Sequence, residues 1–171
     1  LFPRGLQKTL KFTAGLDTPL SDCERIIANL KSGYPQLSLW QEVVKRQAAA
    51  RRYSETWLGR RRYLPNITSE DWGKKSFAER CAMNTPIQGT AADILKLALA
   101  RLIVGLRERP WLRPLLQIHD ELVFELPEDK VEEAAAFVRS CMEAQPFPEF
   151  DVPVIAEGAF GPSFGSLAEM E

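Results

Sequence analysis

Apolar residues recur every three to four positions through six stretches of the chain, with polar residues between them. This spacing puts the apolar side chains on one face and predicts an amphipathic helix in each stretch. Gly15 is expected to end the first helix, and Ser21 to cap the second in a capping box with Glu24. Pro86 should break or kink the helix that reaches it. The predicted helices are residues 4–14, 22–31, 36–53, a segment capped by Ser69 that carries Trp72, Phe77 and Ala78, residues 87–107 and residues 128–145.

Three stretches have the pattern of strands instead. In Leu115–Leu126, two apolar runs flank His119-Asp120-Glu121, which predicts a β-hairpin with the acidic residues at its bend. Tyr53–Pro65 predicts two extended pieces around a glycine turn, and Val152–Ala156 predicts a final strand. Because consecutive strands joined by short turns are antiparallel, we expect an α+β fold in which the hairpin and the C-terminal strand form an antiparallel sheet against several helices.

The composition indicates a globular protein rather than a membrane, zinc or disulfide protein. The chain has 171 residues, 45% hydrophobic and 26% charged, which is enough for one domain with a core. Three widely spaced cysteines and one histidine argue against a structural zinc site or a disulfide framework, and fit a reducing cytosol. No apolar run approaches the roughly 18 residues of a membrane span. The first residue is Leu1, so we expect a fragment, a processed product or a recombinant piece.

Charge is unevenly distributed although the net charge is −1. Residues 45–62 and 74–80 are rich in lysine and arginine, whereas residues 121–149 are mostly acidic. This asymmetry suggests one face for phosphates and another for solvent or metal. The alternative is a solvated charged helix with no ligand.

Asp120 and Glu121 are candidate metal ligands. Mg²⁺ prefers oxygen ligands and takes one or two carboxylates together with substrate phosphates, so adjacent carboxylates on a tight turn suit it. Two-metal phosphoryl transfer needs a further aspartate from another strand. The alternative is an acidic hairpin tip that is simply solvated.

Two other groups of residues could contact nucleic acid. Asn84 and Gln88 lie four apart and share a helix face if the kink at Pro86 is mild. Their amides suit the minor groove, where every base pair offers similar acceptors, although local turn bonding would also explain them. The consecutive Arg60, Arg61 and Arg62 suit phosphate contacts, but charges on a solvated edge strand are the alternative.

Together these segments resemble the C-terminal part of a family A DNA polymerase, the bacterial DNA polymerase I type. The resemblance covers nearly the whole chain, with Phe164 where the family has tryptophan. Tyr34-Pro35 and Trp40 also sit where the family has them. Four blocks carry it in order: Gly59–Pro65; Glu79-Arg80 with Asn84–Asp93; Gln117–Glu121; and Glu157-Gly158 with Gly161–Gly165.

The resemblance implies a role for each candidate residue. Asp120 would be the motif C aspartate that binds Mg²⁺, with Glu121 supporting the metal site. His119 would contact the primer terminus, with Gln117 beside it in the DNA-binding set. Asn84 and Gln88 would face the minor groove at the nascent base pair. One or more of the arginines 60–62 would lie near phosphates, and the sequence does not distinguish among them.

The departures from the family concern its other catalytic parts. The motif A strand, of the type Asp-Tyr-Ser-Gln-Ile-Glu, and the fingers helix that grips the triphosphate have no counterpart; Arg4, Lys8 and Phe12 echo that helix only in spacing. Residues 1–171 are therefore expected to be one unit, with 1–56 as distal fingers-type helices and 57–171 as the C-terminal part of an incomplete polymerase palm.

Three functions remain open from the sequence. The first is part of a DNA polymerase that works in the cytoplasm at the nucleoid, with primer-template DNA, dNTPs and a missing N-terminal polypeptide as partners and no membrane. On this reading the isolated chain is inactive, and its two-metal site is completed by residues outside it. The second is a non-catalytic module that binds duplex nucleic acid. The third is a one-metal hydrolase using Asp120 and Glu121, for which further clustered ligands are lacking.

Overall fold

The structure is a computed structural model that describes residues 2–170. It confirms the predicted α+β class, with helices and three separate two-stranded antiparallel sheets. The helices are α1 (Pro3–Ala14), α2 (Leu20–Gly33), α3 (Pro35–Arg51), α4 (Trp72–Asn84), α5 (Thr90–Leu106) and α6 (Val131–Glu143). The strands are β1 (Tyr53–Glu55), β2 (Arg61–Tyr63), β3 (Arg113–Ile118), β4 (Glu121–Glu125), β5 (Ala159–Phe160) and β6 (Ala168–Glu169). None of the helices within residues 2–170 combines the length and the apolar character needed to cross a membrane.

The chain divides into two compact units. The first unit contains the chain up to Glu55 together with Arg61–Thr85, and the second contains Thr56–Arg60 together with the chain from Pro86 onward. This boundary differs from the expected one at residue 56, because β2 and α4 return to pack with β1 and α3. The assignment of 1–56 to fingers and 57–171 to palm stays a prediction.

The first unit is built on the packing of α3 against α4. Its core consists of small and branched side chains: Ala48, Leu64, Ile67, Ala78, Cys81 and Ala82. Gly15 ends α1 as predicted, with a φ of 67° that a residue with a side chain rarely adopts.

The two predicted serine caps are wrong. Helix α2 begins one residue earlier than Ser21, at Leu20, and the backbone N–H groups of Asp22 and Cys23 donate to the carbonyl of Pro19 instead. At α4 the cap is Asp71, whose carboxylate accepts from the backbone N–H of Lys74 at 3.1 Å. An aspartate at the N-cap adds a favourable charge at the positive end of the helix dipole, which a serine cannot do.

Pro86 distorts its helix without ending it. Residues Thr85–Gly89 form a π-helical turn between α4 and α5. Pro86 has no N–H to offer the carbonyl of Ala82, four residues earlier. That carbonyl accepts from the Ser54 hydroxyl at 2.9 Å within the first unit, so the buried backbone group keeps a partner.

The second unit is built on the packing of α5 against α6. Gly105 allows the close approach, because a Cβ added there would overlap the ring of Phe137. The Arg101 guanidinium reaches from α5 to the C-terminal end of α6, where it donates to the carbonyls of Ala144 at 3.1 Å and Gln145 at 3.0 Å. The last carbonyls of a helix have no backbone donor within the helix, and Arg101 supplies donors to these two carbonyls at this end.

The predicted hairpin at Leu115–Leu126 is confirmed, but the predicted strand at Val152–Ala156 is wrong. Strands β3 and β4 pair antiparallel around a two-residue turn, and a register shift separates Pro114 from Leu116. Residues 152–156 pair with no strand in the described part of the chain. Pro153 supplies no backbone donor, and the N–H of Ala156 donates to the Glu143 carboxylate at 2.9 Å instead of to a strand. The hairpin sheet therefore has two strands, and the short β5–β6 pair forms separately.

Candidate functional site

The β3–β4 turn presents two consecutive carboxylates to solvent. His119 and Asp120 are the two turn residues, and Glu121 opens β4 opposite Ile118. His119, Asp120 and Glu121 are exposed. Neither carboxylate forms a hydrogen bond or an ion pair with another described residue. The structure therefore places both predicted carboxylates at the hairpin bend, exposed and without a partner among the described residues.

The backbone of this turn is unusual at His119. Its φ of 55° lies in the left-handed region, which residues with a side chain enter at a cost. A positive φ at the first turn position suits the right-handed twist of a two-residue hairpin. The Gln117 side-chain amide donates to the carbonyl of His119 at 3.3 Å. Gln117, predicted to lie in the DNA-binding set, thus also braces the turn.

The turn carries the two carboxylates predicted as metal ligands, and that role stays a prediction. Carboxylate oxygens without competing ion pairs are the donors that Mg²⁺ prefers, so Asp120 and Glu121 fit this ion. Within residues 2–170, no group of three or more His, Cys, Asp or Glu side chains is arranged to hold a metal. The residues present can therefore supply one or two carboxylates to a magnesium site.

The predicted minor-groove residues lie on either side of the boundary between the compact units. Asn84 is the last residue of α4, in the first unit, and Gln88 lies in the π-helical turn, in the second. Both side chains are exposed, and neither hydrogen-bonds to another described residue. Their amides are thus available to a ligand, and a common face for the two stays a prediction.

The three consecutive arginines have three different environments. In the second unit, Arg60 donates through Nε to Asp93 Oδ1 at 2.7 Å and through Nη2 to the carbonyl of Gly89 at 2.9 Å. In the first unit, Arg61 lies 3.5 Å from the Glu55 carboxylate and stacks over the ring of Tyr53, 4.6 Å from its centroid.

Arg62, also in the first unit, is opposite Ser54 on the other face of β2. It is exposed and has no hydrogen bond or ion pair from its side chain among the described residues. Arg61 and Arg62 therefore lie on opposite faces of β2 and Arg60 precedes the strand, so the three arginines differ in their chemical surroundings.

Asp93 is the buried charge of this region. Its side chain is 9% exposed, against 50% for Arg60. Burial raises the pKa of Asp93, but the nearby Thr56 hydroxyl and the hydrogen bond and charge of Arg60 outweigh it and hold the pKa below its ordinary value of 3.8. The carboxylate therefore stays ionised and binds Arg60 throughout the neutral range.

Sequence reasoning assigned no separate role to Asp93. The available signal was an acidic residue next to Ile94 within the apolar stripe of a predicted helix, because a charge at a core-facing position needs a partner. The identity of that partner depends on the turn Thr56–Arg60, which is 33 residues away along the chain.

Comparisons with known proteins identify the family to which this chain belongs. The model of the family described as "DNA polymerase family A" matches residues 3–166. The thermostable DNA polymerase I of Thermus filiformis is 41% identical over 145 residues, which is 82% of this chain and 16% of the relative. The DNA polymerase I of Geobacillus stearothermophilus is 38% identical over 161 residues, which is 94% of this chain and 18% of the relative.

A solved structure shows the same fold. The POL domain of Pol1 from M. smegmatis, in complex with DNA primer-template and dNTP, superposes with a TM-score of 0.74 at 31% identity, over 88% of this chain and 28% of that one. The chain thus spans less than a fifth of the length of these curated relatives. The family match over residues 3–166 and the shared fold together show that this chain belongs to the family A DNA polymerases.

Proposed function

We propose that this chain forms part of the catalytic site of a template-directed DNA polymerase, which extends DNA from dNTPs by two-metal phosphoryl transfer. The observation that carries the proposal is the hairpin bend His119–Glu121, with the exposed and unpaired carboxylates of Asp120 and Glu121. Family membership supplies the reaction class. The contribution of this chain is then the motif C part of the site and contacts to the DNA.

In this proposal Asp120 binds Mg²⁺ directly and Glu121 supports the metal site from beside it. In a two-metal site, Mg²⁺ neutralises charge on the phosphoryl oxygens and stabilises the attacking and leaving oxygens. The hairpin holds Asp120 at a fixed place, because the β3–β4 pairing and the Gln117 amide both restrain the turn. A restrained carboxylate loses little conformational freedom when it binds a cation.

The polar residues around the turn and the π-helical turn contact the DNA in this proposal. Asn84 and Gln88 donate from their amides to minor-groove acceptors, which every base pair offers, so that any sequence can be copied. His119 and Gln117 lie beside Asp120 and contact the primer terminus.

The site needs a further carboxylate and a triphosphate-binding element from additional polymerase polypeptide. Asp120 and Glu121 are the two carboxylates of the turn, and within residues 2–170 no third His, Cys, Asp or Glu joins them to make a metal cluster. We therefore expect the 171-residue chain to be inactive alone and to act with primer-template DNA, dNTPs, Mg²⁺ and that polypeptide, in the cytoplasm at the nucleoid.

Primer extension tests the proposal. The 171-residue chain is assayed alone and together with a polypeptide carrying the rest of a family A polymerase domain, with Mg²⁺, primer-template and dNTPs. Extension is expected only in the mixture. Asp120→Asn should reduce it on the order of 100-fold or more, because a metal-binding charge is lost. Asp151→Asn is the matched control, since Asp151 is exposed and lies away from the turn along the chain, and should leave extension unchanged.

The main alternative is a non-catalytic module that binds duplex nucleic acid. In that case the chain would bind duplex DNA equally well with and without Asp120→Ala, and the mixture would not extend the primer even though circular dichroism showed both polypeptides folded. Extension by the chain alone would contradict the need for a further carboxylate.

A further inference from the structure

We propose that Arg60 is a positioning residue that fixes the π-helical turn carrying Gln88, and that Arg62 is the arginine of the triplet that contacts a nucleic-acid phosphate. The inference rests on the proposed function, because it concerns how this chain holds DNA. It assigns different roles to residues that the sequence presents as equivalent.

The first argument is that the Arg60 charge is already neutralised. Its guanidinium donates to the Asp93 carboxylate at 2.7 Å, and that carboxylate is almost fully buried. Turning Arg60 toward a phosphate would leave a buried charge without a partner, which is strongly unfavourable. An arginine that stays paired with Asp93 neutralises no DNA phosphate and so releases none of the counterions condensed on the DNA. It therefore contributes little to the salt dependence of DNA binding.

The second argument is that the turn Thr56–Arg60 is hydrogen-bonded, within the second unit, to the end of the π-helical turn and the start of α5. The N–H of Trp57 donates to the Thr90 hydroxyl at 2.9 Å, and Arg60 Nη2 donates to the carbonyl of Gly89 at 2.9 Å. The two acceptors, Gly89 and Thr90, follow Gln88 by one and two residues in the sequence.

The turn itself is held closed. The N–H of Arg60 donates to the Thr56 hydroxyl at 3.1 Å, and Gly59 adopts a φ of 82°. A single π-helical turn is a rare geometry that depends on its surroundings. The turn Thr56–Arg60 therefore fixes the direction in which Gln88 leaves the helix.

The third argument is that Arg62 has an uncompensated charge in a basic unit. The first unit carries fourteen lysines and arginines against eight acidic residues, whereas the second carries eight against fifteen. Arg61 shares its charge with Glu55, but Arg62 is exposed on the other face of β2 and has no partner among the described residues. It can therefore neutralise a phosphate and displace a counterion condensed on the DNA.

Salt dependence of duplex binding separates the two roles. Binding of the 171-residue chain to a 20-base-pair fluorescein-labelled duplex is measured by anisotropy over a series of NaCl concentrations. Arg62→Gln should reduce the slope of log K against log [NaCl] by about 0.9, the value for one phosphate contact. Arg60→Gln should leave the slope unchanged while weakening binding several-fold at every salt concentration. Arg107→Gln removes an exposed arginine in the acidic unit and should change neither quantity.

A second readout tests the positioning role. A duplex in which 3-deazaguanine replaces guanine lacks the minor-groove N3 acceptor, and the wild-type chain should bind it several-fold more weakly than the normal duplex. Gln88→Ala should lose this discrimination. Arg60→Gln should lose it too. The double variant Arg60→Gln/Gln88→Ala should show the same discrimination between the two duplexes as Gln88→Ala alone. A merely structural defect would lower the fraction of active protein and leave the ratio between the two duplexes unchanged.

Asp93→Asn provides an independent variant if Arg60→Gln fails to fold, as judged by circular dichroism. It should also lose discrimination between the two duplexes without a smaller salt slope. A slope reduced by about 0.9 in Arg60→Gln would overturn the inference, as would unchanged discrimination in both variants. Absence of any duplex binding by the folded wild-type chain would instead contradict the DNA contacts of the proposed function, and the inference with it.

Discussion

His119 is the one residue of the β3–β4 turn that adopts a strained backbone conformation. Its φ of 55° is unfavourable for a residue with a side chain. The sequence predicts the hairpin from the polar triplet at the bend. The sequence contains no glycine at this turn to signal the positive φ. The conformation therefore comes from the pairing of β3 with β4, which requires it.

Replacing His119 tests this strain. His119→Gly should be more stable than His119→Ala by about 1 kcal/mol, because both remove the imidazole but only glycine adopts a positive φ without steric cost. Urea unfolding of the two variants, followed by circular dichroism, measures the difference. Equal stability, or greater stability of the alanine variant, would show that the turn stores no strain.

Ionised Asp93 contributes to the stability of the folded chain, and this contribution depends on pH. Because its pKa is lower in the folded chain than the ordinary 3.8, the ionised form is favoured by folding. The stabilisation is complete above pH 3.8 and is lost as the pH falls below that value toward the lowered folded pKa.

Asp93→Asn should therefore lower the free energy of unfolding by about 1–2 kcal/mol at pH 7, a range that allows for the half-exposed Arg60. The difference between wild type and variant should shrink as the pH is lowered from 4 to about 2.5. Urea unfolding across this range measures it, with Asp151→Asn as a control that should show little difference at any pH. A difference that grows on acidification would contradict the pKa direction.

At the scale of elements, close helix packing and helix distortion position the site. The predicted apolar stripes located the helices well, because burial of one face dominates helix formation in a folded chain. The helix boundaries and caps were predicted less well. Pro19 and Asp71 replaced the two expected serines, since several nearby residues can satisfy the same helix N-terminus.

Two helical glycines allow a matched test of packing. Gly105→Ala should destabilise the protein by about 1–3 kcal/mol, because the new methyl group overlaps Phe137 and outweighs the better helix propensity of alanine. Gly5→Ala in α1, where a Cβ meets open space, should be neutral or slightly stabilising. Thermal unfolding of both variants checks this, and Phe137→Leu should relieve much of the cost of Gly105→Ala. A stabilising Gly105→Ala would show that α5 and α6 do not pack so closely.

At the scale of the whole molecule, a net charge of −1 conceals two oppositely charged units. The sequence indicated a basic region and an acidic region. The interleaving of Thr56–Arg60 with the second unit, and of Arg61–Thr85 with the first, appeared only in the folded chain. Arg60 and Arg61, adjacent in sequence, therefore belong to different units.

Charge location should matter more than net charge for binding DNA. Replacing Arg46 and Lys75 of the basic unit with glutamine should reduce the salt slope of duplex binding by up to about 1.8. Replacing Lys96 and Arg107 of the acidic unit changes the net charge equally and should leave the slope nearly constant. Anisotropy titrations at several salt concentrations measure both. Equal effects of the two pairs would mean that the chain binds DNA through its overall charge alone.

The sequence by itself determined the α+β class, the helices, the two hairpins and the acidic bend. These features depend on periodic burial and on turn chemistry, both of which act between residues close together in the chain. The specific motif blocks also identified the family.

Only the tertiary structure decided which arginine is neutralised, where the compact units divide and whether residues 152–156 pair. Each of these outcomes depends on contacts between residues far apart in sequence, such as Arg60 with Asp93. The residue type determines the charge and the hydrogen-bond donors of a side chain. The fold determines which partner that side chain binds.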